Sequence, residues 1–301
     1  MSLPRPKSLL VTGGRGRLAS LVADYFRAPA YEVALFSRGA GAGFKPLADV
    51  TQPAILSAAD TVLHLAWSTL PATSEQTPGS EAQADLPVLE KILTALTALP
   101  ENARPHFVFF SSGGAVYGNA PGRPSREDDG CHPIGRYGQA KLAAEAMIIN
   151  AAARHGLPCT ILRISNPYGY PVPRGRVQGI IPHAIRAAVE NQPLTLWGDG
   201  HARKDFIYYT DFLSAVAEIV DRRLTGVFNI CAGESHTVHE IIRLVEDHTH
   251  RQVSTRTTPA PAWDVQDSRL DNTRLVQATG WRPQVTLDEG VRRSTAGFLD
   301  Q

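Results

Sequence analysis

Tyr137 and Lys141 stand four residues apart in "RYGQAK", so on a helix they share one face. A phenol with an ordinary pKa near ~10 is a poor base at neutral pH. An ammonium beside it favours the phenolate, which can take a hydroxyl proton while hydride leaves the same carbon. The plainer alternative is a pair of solvent-facing side chains. A third group belongs with them by position. In "FFSSGGAVYG", Phe109 to Gly118, an apolar run ends in two serines and two glycines. Ser112 is either a hydroxyl offered to a reacting oxygen or a strand-end serine that caps backbone groups.

These side chains need a frame. The runs "SLLVT" (Ser8 to Thr12), "YEVALFS" (Tyr31 to Ser37), "TVLHLA" (Thr61 to Ala66), "HFVFFSS" (His106 to Ser112) and "PCTILRIS" (Pro158 to Ser165) read as strands. Between them "RLASLVADYFR", "LPVLEKILTALTAL" and "YGQAKLAAEAMIINAAARHG" read as helices. Near-continuous apolar strands, each followed by a helix, predict an α/β fold: a doubly wound parallel sheet of the Rossmann type, covered on both faces. Residues 1–166 form the expected dinucleotide-binding domain, with later segments (about 205–232) packing onto it. Residues 167–301 form a smaller, partly interleaved substrate region. The texture changes at "NPYGYPVPRGRVQG", whose prolines and glycines suit a functional loop. Shorter strands ("LTLWG", "GVFNI") and helices ("TVHEIIRLVEDH", "TLDEGVRRSTAGFL") follow it. Asp211, after "IYYT", reads as a helix N-cap.

Between the first strand and first helix stands "TGGRGRLA", with Gly13, Gly16 and Ala19 at its three special positions. Glycines there let the backbone turn tightly and approach a pyrophosphate, whose charge then meets a helix N-terminus. An oxidised nicotinamide would join Lys141 in favouring the Tyr137 phenolate. The second strand ends in Ser37 and Arg38, without the carboxylate that holds the ribose hydroxyls of NAD. A guanidinium can pair with a 2′-phosphate, so the cofactor reading is NAD(P), with NADP(H) favoured over NAD. Arg38 equally has a reading as a solvated loop arginine.

Composition narrows the partners. The 301 residues carry a formal charge of +1, which gives no support to a nucleic acid or an anionic membrane surface as partner. No window reaches the roughly 20 apolar residues of a membrane span, and the expected location is the cytoplasm. Three separated cysteines, Cys131, Cys159 and Cys231, suggest neither a disulfide framework nor a zinc site. The histidines are scattered, no metal site is expected, and His64 reads as a core or cofactor-side residue.

The chain resembles the extended short-chain dehydrogenase/reductases of the NAD-dependent epimerase/dehydratase family, and within it the nucleotide-sugar 4-epimerases. "TGGRGRLA", "HLAW", "FFSSGGAVYG", "YGQAK", "RISNPYG", "QGIIP", "WGDGHARKDF" and "FNICAGES" follow one another in the family order over nearly the whole length. The resemblance makes Tyr137 the catalytic base, with Lys141 as its partner on the nicotinamide ribose. It extends the cofactor surface to Arg15, Arg17, Leu18, Asp49, Val50, Leu65 and Ala66. Asn166, Gln178, Ile180 and Lys204 become substrate contacts. Lys204 stands where the family carries arginine, so the charge is kept and the bidentate fork is lost; Arg203 and Lys204 also have a reading as loop charges. The family's loop serine or threonine falls on Gly113, a second hydroxyl position falls on Ala115, and Ser112 is the neighbour able to substitute. The implied activity is 4-epimerisation of a nucleotide sugar, a UDP-sugar by the nearest likeness, by a homodimer paired through the two long helices. An NADPH-dependent nucleotide-sugar 4-ketoreductase is the runner-up. A cofactor-binding protein with little catalysis is the reading of another class.

Overall fold

The computed structural model describes residues 5–27, 29–39, 41–120, 122–171 and 179–299. The first elements are β1 (Lys7–Thr12), α1 (Arg17–Tyr25), β2 (Tyr31–Ser37), β3 (Lys45–Pro46), α2 (Pro53–Ser57) and β4 (Thr61–His64). Next come α3 (Pro71–Gln76), α4 (Ser80–Ala84), α5 (Leu86–Ala98), β5 (His106–Ser112), α6 (Gly113–Val116), α7 (Arg136–His155) and β6 (Cys159–Ile164). The later part runs β7 (Asn166–Tyr168), α8 (Ile180–Glu190), β8 (Leu194–Trp197), β9 (Arg203–Tyr208), α9 (Tyr209–Arg222) and β10 (Gly226–Ile230). It ends with β11 (Ser235–Thr237), α10 (Val238–Thr249), β12 (Thr255–Thr258), β13 (Asp267–Ser268), α11 (Thr273–Thr279) and α12 (Leu287–Leu299).

Two compact units share these elements. The first comprises 1–111, 136–162 and 216–227, and the second 112–135, 163–215 and 228–301. Most of a seven-stranded sheet in the order β10-β6-β5-β4-β1-β2-β3 lies in the first unit. β1 pairs in parallel with both β2 and β4, and β4 pairs in parallel with β5. The doubly wound α/β architecture is therefore present. From β1 the chain steps one way to β2 and β3, then the other way to β4, β5 and β6. The order thus reverses between β1 and β4, and ligands of such sheets bind outside the carboxyl ends at that point. Val62, Leu89, Ile92, Leu96, Phe107, Phe109 and Ile148 belong to the continuous core that α5 and α7 share with the sheet.

In the second unit β9 is the hub, pairing with β7, β11 and β13. Its Phe206 and Tyr208 join a core with Ile181 and Ile185 of α8, Ile241 and Val245 of α10 and Val291 of α12. Asp211 corrects the sequence expectation: it lies within the first turn of α9, and its carboxylate accepts the backbone N–H groups of Gln284 and Val285 at 3.0 and 2.9 Å. It is a tether between segments. Among the described residues no helix is long and apolar enough to cross a membrane.

Candidate active site

The glycine loop is built as its sequence requires. Gly13 has φ +76°, the left-handed region open to glycine, and the Gly16 N–H closes a tight turn onto the Gly13 carbonyl at 2.7 Å. A Cβ on Gly13 would lie 2.8 Å from the backbone of Ala66. The loops leaving β1 and β4 are therefore in contact at the reversal point, with Gly16 as N-cap of α1. This is a cradle for a pyrophosphate at a helix N-terminus. Arg17 and Leu18 open that helix, and Leu65 and Ala66 form the opposing edge.

Beside the cradle, at the carboxyl end of β2, the surface is basic. The Ser37 hydroxyl donates to the Gly39 carbonyl at 2.7 Å, and Arg38 is exposed. The Arg15 guanidinium lies 5.2 Å from the Phe44 ring centroid, against Gly39 and Gly41, where a Cβ on Gly41 would come within 2.7 Å of Nη2. The glycines of "RGAGAG" thus leave room for this side chain. From Val33 to Ala48 the sequence has no Asp or Glu. Asp49 and Val50 sit on the short 3₁₀ turn beyond, where the Asp49 carboxylate accepts from Gln52.

Tyr137 and Lys141 share one face of α7, the Lys141 Nζ lying 5.8 Å from the Tyr137 ring centroid. The lysine is 4% exposed and donates to the Phe110 carbonyl of β5 at 2.9 Å, with the face of Trp67 at 3.8 Å. Burial pulls this ammonium down to about 7, against the opposing pull of Asp85 and Glu145. The phenol does not behave as the spacing predicts. Burial, then the carboxylates of Asp85 and Glu81, push Tyr137 above the ordinary phenol value, so without cofactor it is a protonated acid at neutral pH. Sequence reasoning missed Trp67, Asp85 and Glu81, because their nearness to α7 follows from the strand order. An indole directly after "HLA", at the end of a buried strand, is the one local signal. His64 is buried beneath this site and held neutral: burial and then Lys141 lower it to about 3.

Other expected residues belong to the second unit. Ser112 is the N-cap position of α6, yet its side chain makes no capping bond. Ser111, in the first unit, has its hydroxyl committed to the Glu145 carboxylate. Gly113 has no room for the family's hydroxyl: a Cβ there would lie 2.6 Å from Leu270 Cδ1 and 3.1 Å from the Arg163 carbonyl oxygen. Tyr117 fixes the end of this loop, its hydroxyl donating to Asn229 at 2.8 Å and accepting from Arg163 at 2.9 Å. Asn166 is half-buried and donates its amide to the Asp205 carbonyl at 2.8 Å. Lys204 is already paired, with Asp264 at 3.0 Å and with the Val265 carbonyl, while Arg203 donates to the Ser235 carbonyl at 2.7 Å. Ile180 opens α8. Gln178 lies outside the described residues. Among the described residues no cluster of three His, Cys, Asp or Glu side chains is suited to a metal ion.

The chain is 30% identical to the dTDP-4-dehydro-6-deoxyglucose reductase of Escherichia coli over 77% of this chain and 72% of that one. It is also 30% identical to the dTDP-6-deoxy-L-talose 4-dehydrogenase (NAD(P)(+)) of Kitasatospora kifunensis, over 95% and 94%. Its structure matches the UDP-glucose 4-epimerase of Thermus thermophilus, solved in complex with NAD, with a TM-score of 0.84 at 26% identity, covering 97% of this chain and 99% of that one. The family model for the NAD dependent epimerase/dehydratase family matches residues 9–231, and the chain is a member of that family.

Proposed function

We propose that the chain exchanges hydride and a proton at carbon 4 of a nucleotide sugar, and that its net reaction is the reduction of a 4-keto sugar nucleotide by NADPH. The observation that carries this reading is the basic rim at the end of β2, where Arg15 and Arg38 stand with no carboxylate from Val33 to Ala48. Such a rim suits a 2′-phosphate, which a guanidinium can pair with. The protonated Tyr137 supports the same direction, since a ketone needs a proton donor as it accepts hydride. When bound, the nicotinamide supplies the hydride. Tyr137 gives its proton to the forming alkoxide, and the Lys141 ammonium stabilises the phenolate left behind until solvent reprotonates it. Ser112 follows two residues after the carbonyl that holds Lys141 and is the hydroxyl this reading assigns to the substrate. Asn166, Gln178, Ile180 and Lys204 remain its residues for the nucleotide sugar.

The second reading is a UDP-sugar 4-epimerase, in which Tyr137 first removes the 4-hydroxyl proton and hydride returns to the other face. The likeness to an NAD-bound UDP-glucose 4-epimerase over nearly the whole chain favours it. One experiment separates the two: heat the purified protein, identify any released nucleotide by mass, then offer NADPH with a 4-keto sugar nucleotide. An empty site that consumes NADPH supports the reductase; tightly held NAD with interconversion of two sugar nucleotides replaces it with the epimerase. In either case Tyr137→Phe is expected to slow turnover by about 10²–10⁴-fold with substrate binding preserved. Undiminished turnover in that variant removes the acid–base assignment.

The same reading pairs two copies through α5 and α7, which pack together, with Ile149 of α7 49% exposed. Ile149→Arg is expected to halve the mass seen by sedimentation. A monomeric parent protein would reject the pairing.

A further inference from the structure

The Lys141 ammonium sits in an aromatic enclosure. Its Nζ is 3.8 Å from the Trp67 ring centroid, 4.8 Å from that of Phe109 and 5.8 Å from that of Tyr137. Its hydrogen bond goes to a neutral carbonyl, that of Phe110. The carboxylates that act on it are engaged elsewhere: Asp85 accepts from Ser68 and Glu145 from Ser111. Glu81, the further carboxylate acting on Tyr137, accepts from Thr69. His64, below it on β4, is neutral and contributes no charge. Trp67 shows the same relation from its own side. Its ring packs edge-on against Phe109 at 6.0 Å, and its Nε1–H is buried without an acceptor among the described residues. An indole held at the cost of an unmet donor needs a compensating attraction, and a cation against its face is one.

We propose that Trp67 is a positioning residue for Lys141: its indole face holds the ammonium on the Phe110 carbonyl and keeps it charged within a buried site. The residue after β4 then decides where the partner of Tyr137 stands and over what pH range it carries its charge. This rests on reading Tyr137 and Lys141 as the acid–base pair, so one arm of the test needs no turnover. The emission of Trp67, isolated as the difference between the wild type and Trp67→Phe, is followed across the neutral pH range. A cation leaving the indole face changes that emission, so a single transition near 7 is expected, and it should vanish in Lys141→Met. A flat profile, or the same transition without the lysine, overturns the proposal.

The second arm uses the pH profile of kcat/KM. In Trp67→Leu the alkaline limb, where Lys141 loses its proton, should move down by up to about one pH unit, with KM for the nucleotide sugar unchanged. Trp67→Phe, which restores a ring face, should recover most of the shift. A limb that stays in place in Trp67→Leu counts against the proposal even if kcat falls. A protein that turns over no nucleotide sugar would sink the acid–base reading alone, and the emission titration would still decide the role of Trp67.

Discussion

At the scale of single residues, the sequence shows that the loop hydroxyl is missing but not why. Gly113 stands where the family carries serine or threonine, and that much is plain in "FFSSGGAVYG". What fills the space is Leu270, 1% exposed and more than 150 positions away, which no local pattern announces. The Arg163 carbonyl closes the other side, so a side chain must displace either a buried leucine or backbone. Restoring the hydroxyl by Gly113→Ser is therefore expected to destabilise the protein by about 1–3 kcal/mol and not to raise activity. Adding Leu270→Ala should make the double variant lose less than the sum of the two single losses, because the clash and the cavity share one space. Urea midpoints of the four proteins give the comparison, and strict additivity would mean that Leu270 is not the obstacle. Trp67 and Tyr137 carry the same lesson. Spacing puts Tyr137 beside Lys141, but the carboxylates that raise the phenol are Asp85, the C-cap of α4, and Glu81 within that helix.

At the scale of elements, legibility follows how continuous the apolar pattern is. The bounds of β2, β5 and β10 coincide with the runs read from the sequence, since each is rich in β-branched and aromatic residues. The helix α8 is hidden in the sequence because "QGIIP" looks like a loop. Pro182 in fact sits in its first turn, where the missing N–H breaks no helical bond. β9 opens with "RKD" and gives no strand signal either, although three neighbouring strands pair with it. The α10 start is clear, because Thr237 and Glu240 form a capping box in which each side chain accepts the other's backbone N–H, at 3.1 and 2.6 Å. Thr237→Ala should lower unfolding stability by about 1 kcal/mol while leaving cofactor binding intact. A loss under a few tenths would show that packing of Ile241, Ile242 and Val245 alone holds this helix.

At the scale of the whole molecule, a formal charge of +1 supplies no strong self-repulsion, so response to acid is set by particular buried groups. His106 is the clearest of them. It is fully buried, its Nε2 meets the Thr160 hydroxyl at 2.7 Å, and its Nδ1 has no partner among the described residues. Burial, reinforced by Arg223, lowers its pKa to about 4. Between about 4 and the ordinary 6.5 the unfolded chain therefore holds a proton that the folded chain refuses. Stability from this residue is complete above 6.5 and falls as pH drops through that window, by about 1.4 kcal/mol per pH unit. His64 adds the same sign, whereas buried Asp205, raised to about 7 by burial, works the other way and hides part of the slope in a single curve. A difference between two proteins removes that masking. His106→Gln keeps a polar end for Thr160 and abolishes the titration, so it should be less stable than the wild type at pH 8 yet lose its disadvantage steadily as pH falls toward 4. Guanidinium midpoints measured for both proteins at matched pH values give the gap directly. A gap that stays constant over this range would mean that His106 takes up its proton in the folded sheet as readily as in the open chain.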